Sequence, residues 1–168
     1  RNISEHGYRD RYATWINDST MVFTSDRGGN SDMYMARSTD LNKPMLLETL
    51  KHQVKKITDT DSDERNPVIS PDGKRIAYLS GSKFILADID ETGSITNQQI
   101  LHDEWWSLPE GVSWSPDSKW IAYSQVDLYF NSEIYIRSAD GSGKPVNISM
   151  HPKADYMPHW SKDGKKLA

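Results

Sequence analysis

Apolar and polar residues alternate along most of the chain, in short runs interrupted by turn formers. Met21 and Phe23, Ile76 and Tyr78, and Ile121 and Tyr123 are each spaced by two, the period that places side chains on one face of a β-strand. A second apolar run follows each pair, in Met33-Tyr-Met-Ala, Phe84-Ile-Leu-Ala and Ile134-Tyr-Ile-Arg, and a further short run follows that, in Lys56-Ile-Thr, Gln99-Ile-Leu and Val146-Asn-Ile-Ser. The pattern predicts an all-β chain. Leu41–Val54 is the exception, because Met45-Leu-Leu-Glu-Thr-Leu-Lys fits a short helical excursion as well as an extended outer strand.

The strands belong to a repeat. Trp15-Ile-Asn-Asp-Ser-Thr-Met-Val-Phe, Ile69-Ser-Pro-Asp-Gly-Lys-Arg-Ile-Ala-Tyr, Trp114-Ser-Pro-Asp-Ser-Lys-Trp-Ile-Ala-Tyr and Trp160-Ser-Lys-Asp-Gly-Lys-Lys-Leu-Ala align on an anchor residue. The anchors lie 54, 45 and 46 residues apart. A second marker keeps the same register: Asn2-Ile-Ser and Asn147-Ile-Ser each begin 13 residues before a Trp anchor. Ser-Pro-Asp-Gly has type I turn chemistry, with Pro presetting φ and Gly free to take positive φ, and such turns join antiparallel strands. Four short strands in about 45–50 residues is the size of one β-propeller blade. The expectation is therefore a β-propeller fragment of about three and a half four-stranded antiparallel blades, at 10–58, 64–102, 110–149 and the start of another at 155–168. Propellers close with about four to eight blades, so the native chain is expected to continue past Ala168 or to pair with other chains.

Composition narrows the function. Six Trp, eight Tyr and three Phe offset a polar average, which suits thin layers packed face to face. The net charge of −4 comes from interspersed signs, and without a basic stripe nucleic acid is a poor partner. There is no cysteine, so disulfides and thiolate metal sites are excluded and the redox compartment stays open. No apolar run approaches the 18 residues of a membrane span. The opening Arg1-Asn-Ile-Ser, without Met, fits a processed or excised N-terminus.

Candidate chemistry is sparse. Asp59-Thr-Asp61-Ser-Asp63 opens like a calcium loop, but Glu64 and Ser70 stand where Gly and a bidentate Glu are needed, so it reads as an inter-blade loop. Gly141-Ser-Gly-Lys144 leads into Pro145 and a strand, not the helix of a phosphate loop. Gly28-Gly29 reads as a hairpin turn. No G-x-S-x-G elbow occurs, and His6, His52, His102, His151 and His159 fall mostly in loops or beside strand ends, so no catalytic residue, metal ligand or cofactor is assigned. Asn2, Asn17 and Asn147 begin N-x-[ST] sequons, which the repeat itself explains for Asn2 and Asn147. The loop Glu104-Trp105-Trp106-Ser-Leu-Pro-Glu110 is the strongest binding candidate: adjacent Trp residues on a connection form a peptide-contacting rim or pack between blades. Tyr129-Phe130, in the insertion Gln125–Asn131, is a second rim element on the same terms.

The repeated W-S-P-D-G-K-x-I-A-Y signature resembles the WD-like repeats of tricorn-type, Tol-system and dipeptidyl-peptidase propellers. Arg1-Asn-Ile-Ser, Gly7, Arg11, Trp15 and Thr24-Ser-Asp-Arg-Gly-Gly-Asn-Ser-Asp-Met-Tyr look like the tricorn-protease pattern R-N-L-T…G…R…W-S-P-D-G-K…S-D…E-L-Y, and Trp114-Ser-Pro-Asp-Ser-Lys-Trp-Ile-Ala-Tyr-Ser resembles a further blade of those proteins. Ile69 in place of Trp, and Asn17-Asp-Ser19 in place of Pro-Asp-Gly, depart from the pattern. The resemblance implies a non-catalytic, TolB-type propeller portion of a tricorn-like serine peptidase. Its partners would be peptides or proteins, the rest of its own propeller and a downstream peptidase domain, with oligomerisation left open. A Tol-system-like protein-binding propeller with no peptidase, or the lid propeller of a prolyl-oligopeptidase-like hydrolase, are the alternatives. A periplasmic or secreted location is expected over a cytoplasmic one.

Overall fold

The structure, a computed structural model, describes Ile3 and residues 7–168. Arg1, Asn2, Ser4 and His6, which belong to the first marker, the first sequon and the histidine set above, lie outside the described residues. Among the described residues there are twelve strands and no helix: β1 (Asp10–Asn17), β2 (Thr20–Ser25), β3 (Asp32–Ser38), β4 (His52–Lys56), β5 (Glu64–Ile69), β6 (Arg75–Ser80), β7 (Lys83–Ile89), β8 (Ile95–Asp103), β9 (Glu110–Trp114), β10 (Trp120–Val126), β11 (Ser132–Ser138) and β12 (Val146–Asn147). They form three four-stranded antiparallel meanders, β1–β4, β5–β8 and β9–β12, each in sequence order. The chain is thus an all-β propeller fragment.

The anchors share one register. Trp15 pairs with Met21, Ile69 with Ile76, Trp114 with Ile121, and Trp160 bridges to Leu167. Three of the four hairpins are the same turn, atom for atom. Ser70, Ser115 and Ser161 each donate their hydroxyl to Asp72, Asp117 and Asp163 at 2.6 Å. Each of these carboxylates also accepts the N–H of the following Lys, at 3.1–3.2 Å. The Ser115 and Ser161 hydroxyl bonds hold Asp117 and Asp163 below the usual carboxylate range; at Asp72 burial is the largest influence and opposes the shift, but the Ser70 hydroxyl, the Lys74 N–H and the Lys74 charge together outweigh it. Gly73 sits at φ +71, and a Cβ there would lie 2.9 Å from the Ile16 carbonyl of the preceding sheet. Ser118 holds the same slot at φ +60, and its hydroxyl accepts the Asp72 N–H at 3.1 Å. In the first hairpin Asn17 pairs directly with Thr20, and Asn17 Oδ1 accepts from the Ser19 N–H and hydroxyl. That turn is one residue shorter, which is why the anchor-to-partner spacing drops from seven to six.

The middle sheet is covered on both faces by its neighbours. On β6 and β7, Ile76, Tyr78, Ile85, Ala87 and Ile89 pack against Val22 and Met33 of the first sheet. The intervening Ala77, Leu79, Phe84 and Leu86 pack against Trp114, Ile121, Tyr123 and Ala139 of the third. Phe84 meets Tyr123 edge to face at 5.4 Å. Burial in these dry layers pushes the Tyr78 and Tyr123 hydroxyls up to about 12. Trp114 is buried and donates its indole N–H to the Val68 carbonyl of the preceding sheet at 3.1 Å, whereas Trp15 is 42% exposed because no described sheet covers its side.

The Asn-Ile-Ser marker has a mechanical role. Thr58 and Ser149, equivalent in the repeat, each accept an N–H from the third strand of their own sheet, Met33 at 2.8 Å and Ile134 at 2.9 Å. The Thr58 hydroxyl donates to buried Glu64, which begins the next sheet, and the Ser149 hydroxyl donates to Glu133. Ser31 and Glu64, and Ser132 and Asp155, then exchange matching backbone and hydroxyl bonds across the blade boundary. Asn147 is engaged here as well, its Oδ1 accepting the N–H groups of Ser149 and Met150.

Three expectations change, the first being that the expected strand Val146-Asn-Ile-Ser ends at Asn147, whose Oδ1 turns back onto the Ser149 and Met150 N–H groups. Leu41–Lys51 is neither helix nor strand but a series of turns, held because Leu46 is fully buried and donates its N–H to the Asp18 carbonyl at 2.9 Å. The fourth strand of the first blade is His52–Lys56, so Ile57 and Thr58 of the expected Lys56-Ile-Thr strand lie past its end, where both N–H groups reach the Met33 carbonyl.

Two outcomes are expected. Phe84→Ala should lower the unfolding free energy by about 3–5 kcal/mol, measured by urea denaturation. Because the folded-state pKa values of the turn aspartates are lowered, their contribution is present at neutral pH and is lost as pH falls below about 4; Asp117→Asn should flatten that acid-side fall in melting temperature.

Candidate functional site

Within a four-stranded meander, the connection entering the first strand and the connection between the second and third strands emerge at the same end of the sheet. In the third sheet these are residues 104–109, before β9, and residues 127–131, between β10 and β11. The sequence treats Trp105-Trp106 and Tyr129-Phe130 as separate elements; the topology brings them to one end and the packing joins them. The Trp106 and Phe130 rings lie 6.1 Å apart at 53°. Trp105, Tyr129 and Phe130 are 79%, 90% and 81% exposed, and Leu128, next to Tyr129 in the chain, is 82% exposed. Only Trp106 is partly covered.

Polar bonds fix both loops. Asp127 Oδ1 accepts the N–H groups of Tyr129 and Asn131, at 2.8 and 3.0 Å, and Asp127 exchanges backbone bonds with Phe130 and Asn131. Phe130 is thereby held at φ +59, a left-handed conformation that costs a non-glycine residue about 1–2 kcal/mol. Ser107 is buried, its hydroxyl donating to the Val126 carbonyl, and Gln125 Nε2 donates to the Ser107 carbonyl at 3.0 Å. Asn131 Nδ2 donates to Glu133 at 2.6 Å and to the His151 carbonyl at 2.8 Å. The Ser149 hydroxyl and this amide keep the Glu133 carboxyl below its usual range. The result is a fixed apolar ridge of Trp105, Trp106, Leu128, Tyr129 and Phe130 standing in water. Leu128 is the member that sequence reasoning missed, because an isolated Leu in a loop carries no periodic signal.

A second feature was also invisible in the sequence. Three positions before each anchor, Tyr12, Asn66, Gly111 and Met157 take φ of 55°, 51°, 59° and 55°. In the three sheets the innermost pairing slips at this point, between Arg11 and Thr14, between Arg65 and Val68, and opposite Ala122–Ser124. This is a β-bulge repeated in register. All four residues line one open cavity of about 420 Å³, along with Pro67, Pro109, Glu110 and His159. Asn66 Oδ1 is buried there without a partner, and Met157 sits so close to Gly111 that a Cβ would lie 2.8 Å from its Cα. Four different residue types occupy the slot, so no sequence motif marks it.

The other candidate groups do not converge. Asp59 pairs with Lys56, which also holds the buried Asp32 at 2.8 Å, while Asp63 accepts the Ser31 N–H. His52 lies on β4 and His102 on β8, with His151 and His159 on the connection that follows β12. Among the described residues no three His, Cys, Asp or Glu side chains are placed to share a metal ion, and no helix is long and apolar enough to cross a membrane.

No protein-family model matches the chain. Over 91 residues it is 35% identical to dipeptidyl-peptidase 5 of Trichophyton equinum, covering 49% of this chain and 12% of that protein. Over 153 residues it is 26% identical to dipeptidyl-peptidase 5 of Arthroderma otae, covering 77% of this chain and 19% of that protein. The chain therefore spans less than a fifth of the length of these relatives. Among solved structures it superposes on TolB of Acinetobacter baumannii with a TM-score of 0.61 and 27% identity, over 95% of this chain and 36% of that one. Tricorn protease gives a TM-score of 0.66 at 16% identity, over 97% of this chain and 15% of that one. A puromycin-hydrolyzing peptidase of Mycobacterium tuberculosis gives 0.57 at 12%, over 83% and 20%. Register, sheet order and these superpositions define the class: a segment of a β-propeller. Within that class the chain is related in fold to TolB, tricorn protease and peptidase propellers, with sequence relatives named dipeptidyl-peptidase 5.

Gly111→Ala should destabilise the chain by about 2 kcal/mol, since the residue must hold positive φ against Met157; denaturant unfolding with an unchanged m-value measures it.

Proposed function

We propose that this chain is the non-catalytic propeller segment of a tricorn-like serine peptidase, and that its rim ridge holds unfolded peptide for a peptidase domain elsewhere in the parent protein. The single observation that carries the reading is the ridge itself. Trp105, Leu128, Tyr129 and Phe130 are each more than three-quarters exposed, although burying such side chains is worth about 1.5–3 kcal/mol each. Loops locked by Asp127 and Ser107 present them in a fixed arrangement, which lowers the ordering cost of binding. Side chains of this type dominate peptide and protein contact surfaces. The peptidase relatives supply the context, and under this reading the nucleophile lies outside these 168 residues.

A second reading is a protein-binding propeller with no peptidase attached. The 27% identity to TolB over 95% of this chain favours it. A periplasmic or secreted address, over a cytoplasmic one, is part of the proposal, and cell fractionation of the parent protein tests it. The sequence following Ala168 in the parent protein separates the two.

Replacing Trp105 and Trp106 together with Ala should weaken binding of unfolded peptide at least about tenfold, measured by calorimetry, and leave the melting temperature within a few degrees. A large loss of melting temperature would instead make the pair a packing element. Peptide hydrolysis by the chain alone, abolished by a serine-directed inhibitor, would overturn the non-catalytic assignment.

A further inference from the structure

The ridge carries a charge pattern as well as an apolar one. Segments 103–110 and 127–133 contain five carboxylates, Asp103, Glu104, Glu110, Asp127 and Glu133, and no Lys or Arg. Asp127 and Glu133 are consumed in fixing the loop. Asp103, Glu104 and Glu110 are exposed, and they bracket the Trp pair on both sides in the chain. Among the described residues none of the three takes part in an ion pair. Asp103 accepts one hydroxyl bond, from Ser82 at 2.6 Å, and the basic residue opposite it in register, Lys83, forms no ion pair with it.

Resting on the peptide-holding reading above, we propose that the ridge selects extended peptide segments in which large apolar side chains are flanked by cationic ones. The apolar side chains lie on Trp105, Leu128, Tyr129 and Phe130, and the cations meet Glu104 and Glu110. The exposed indole and phenol faces also attract a cation directly, through the ring quadrupole. Exposed carboxylates flanking the Trp pair in the chain disfavour the alternative occupant of an exposed aromatic ridge, an anionic lipid surface, because like charges repel across such a contact.

The test is isothermal titration of the full chain with three capped hexapeptides that differ only in their flanks: Ac-Ala-Lys-Phe-Leu-Lys-Ala-NH2 and its Gln and Glu counterparts. The Lys peptide should bind about fivefold tighter than the Gln peptide and the Glu peptide weaker than both, the size expected from two exposed charge pairs. The preference should fade in about 1 M salt, where screening acts within roughly 3 Å. Glu104→Gln combined with Glu110→Gln should erase the preference without changing affinity for the Gln peptide, while Phe130→Ala should weaken all three alike. Equal binding of the three peptides by the unmodified chain would overturn the charge selection and leave peptide holding intact. Binding of none of them, or binding of phosphatidylglycerol vesicles in their place, would overturn both.

Discussion

Everything in this molecule depends on sheets that are apolar on both faces and must be covered on both. In β6 and β7 the period-two alternation sends Ile76, Tyr78 and Ile85 one way and Leu79, Phe84 and Leu86 the other. A strand of this kind cannot serve as the solvent face of a two-layer sandwich. It is satisfied only by a neighbour on each side, and stacking such sheets side by side produces the propeller. The cost of an uncovered face is visible at Trp15, 42% exposed while its equivalent Trp114 is buried.

The blade boundaries are joined by polar bonds as regular as the apolar layers. Seams at the Thr58–Glu64 and Ser149–Asp155 connections use a hydroxyl to close the third strand and a backbone exchange to reach the next sheet. At the first seam Glu64 is buried beneath three hydroxyl donors, from Thr58, Thr60 and Ser80. Burial nevertheless outweighs those bonds and raises its pKa, so that this carboxyl, unlike the turn aspartates, favours the folded state less as pH rises above its ordinary range. The turns and the seam therefore respond to acid with opposite sign.

With the sheets fixed from both sides, variation is confined to the ends of the blades and to the inner strands. The ridge at 104–109 and 127–131 is an apolar surplus that no sheet requires, placed where two loops of one blade emerge together. The inner bulges are the counterpart near the axis: Tyr12, Asn66 and Met157 each hold a left-handed conformation that a regular strand would avoid, and all open onto one cavity. Strain retained in the same slot of successive repeats, with different side chains, is a property of the architecture and not of any one residue.

The repeat, the strand type, the Ser-Pro-Asp turns and the register of the anchors were legible in the residues alone, because these rest on local chemistry: period-two alternation, a Pro that presets a turn, a Gly where φ is positive. The sequence also singled out Trp105, Trp106, Tyr129 and Phe130, as either rim aromatics or packing between blades. The tertiary structure decided what depends on contacts between distant segments. Trp106 met Phe130 only because sheet topology brings both loops to one end. Leu41–Lys51 took a turn-rich path because buried Leu46 is pinned to Asp18. The bulge recurred under four unrelated side chains because the backbone of the inner strand is set by its neighbours. Local rules fix what a segment prefers, and only packing fixes which segments share a surface.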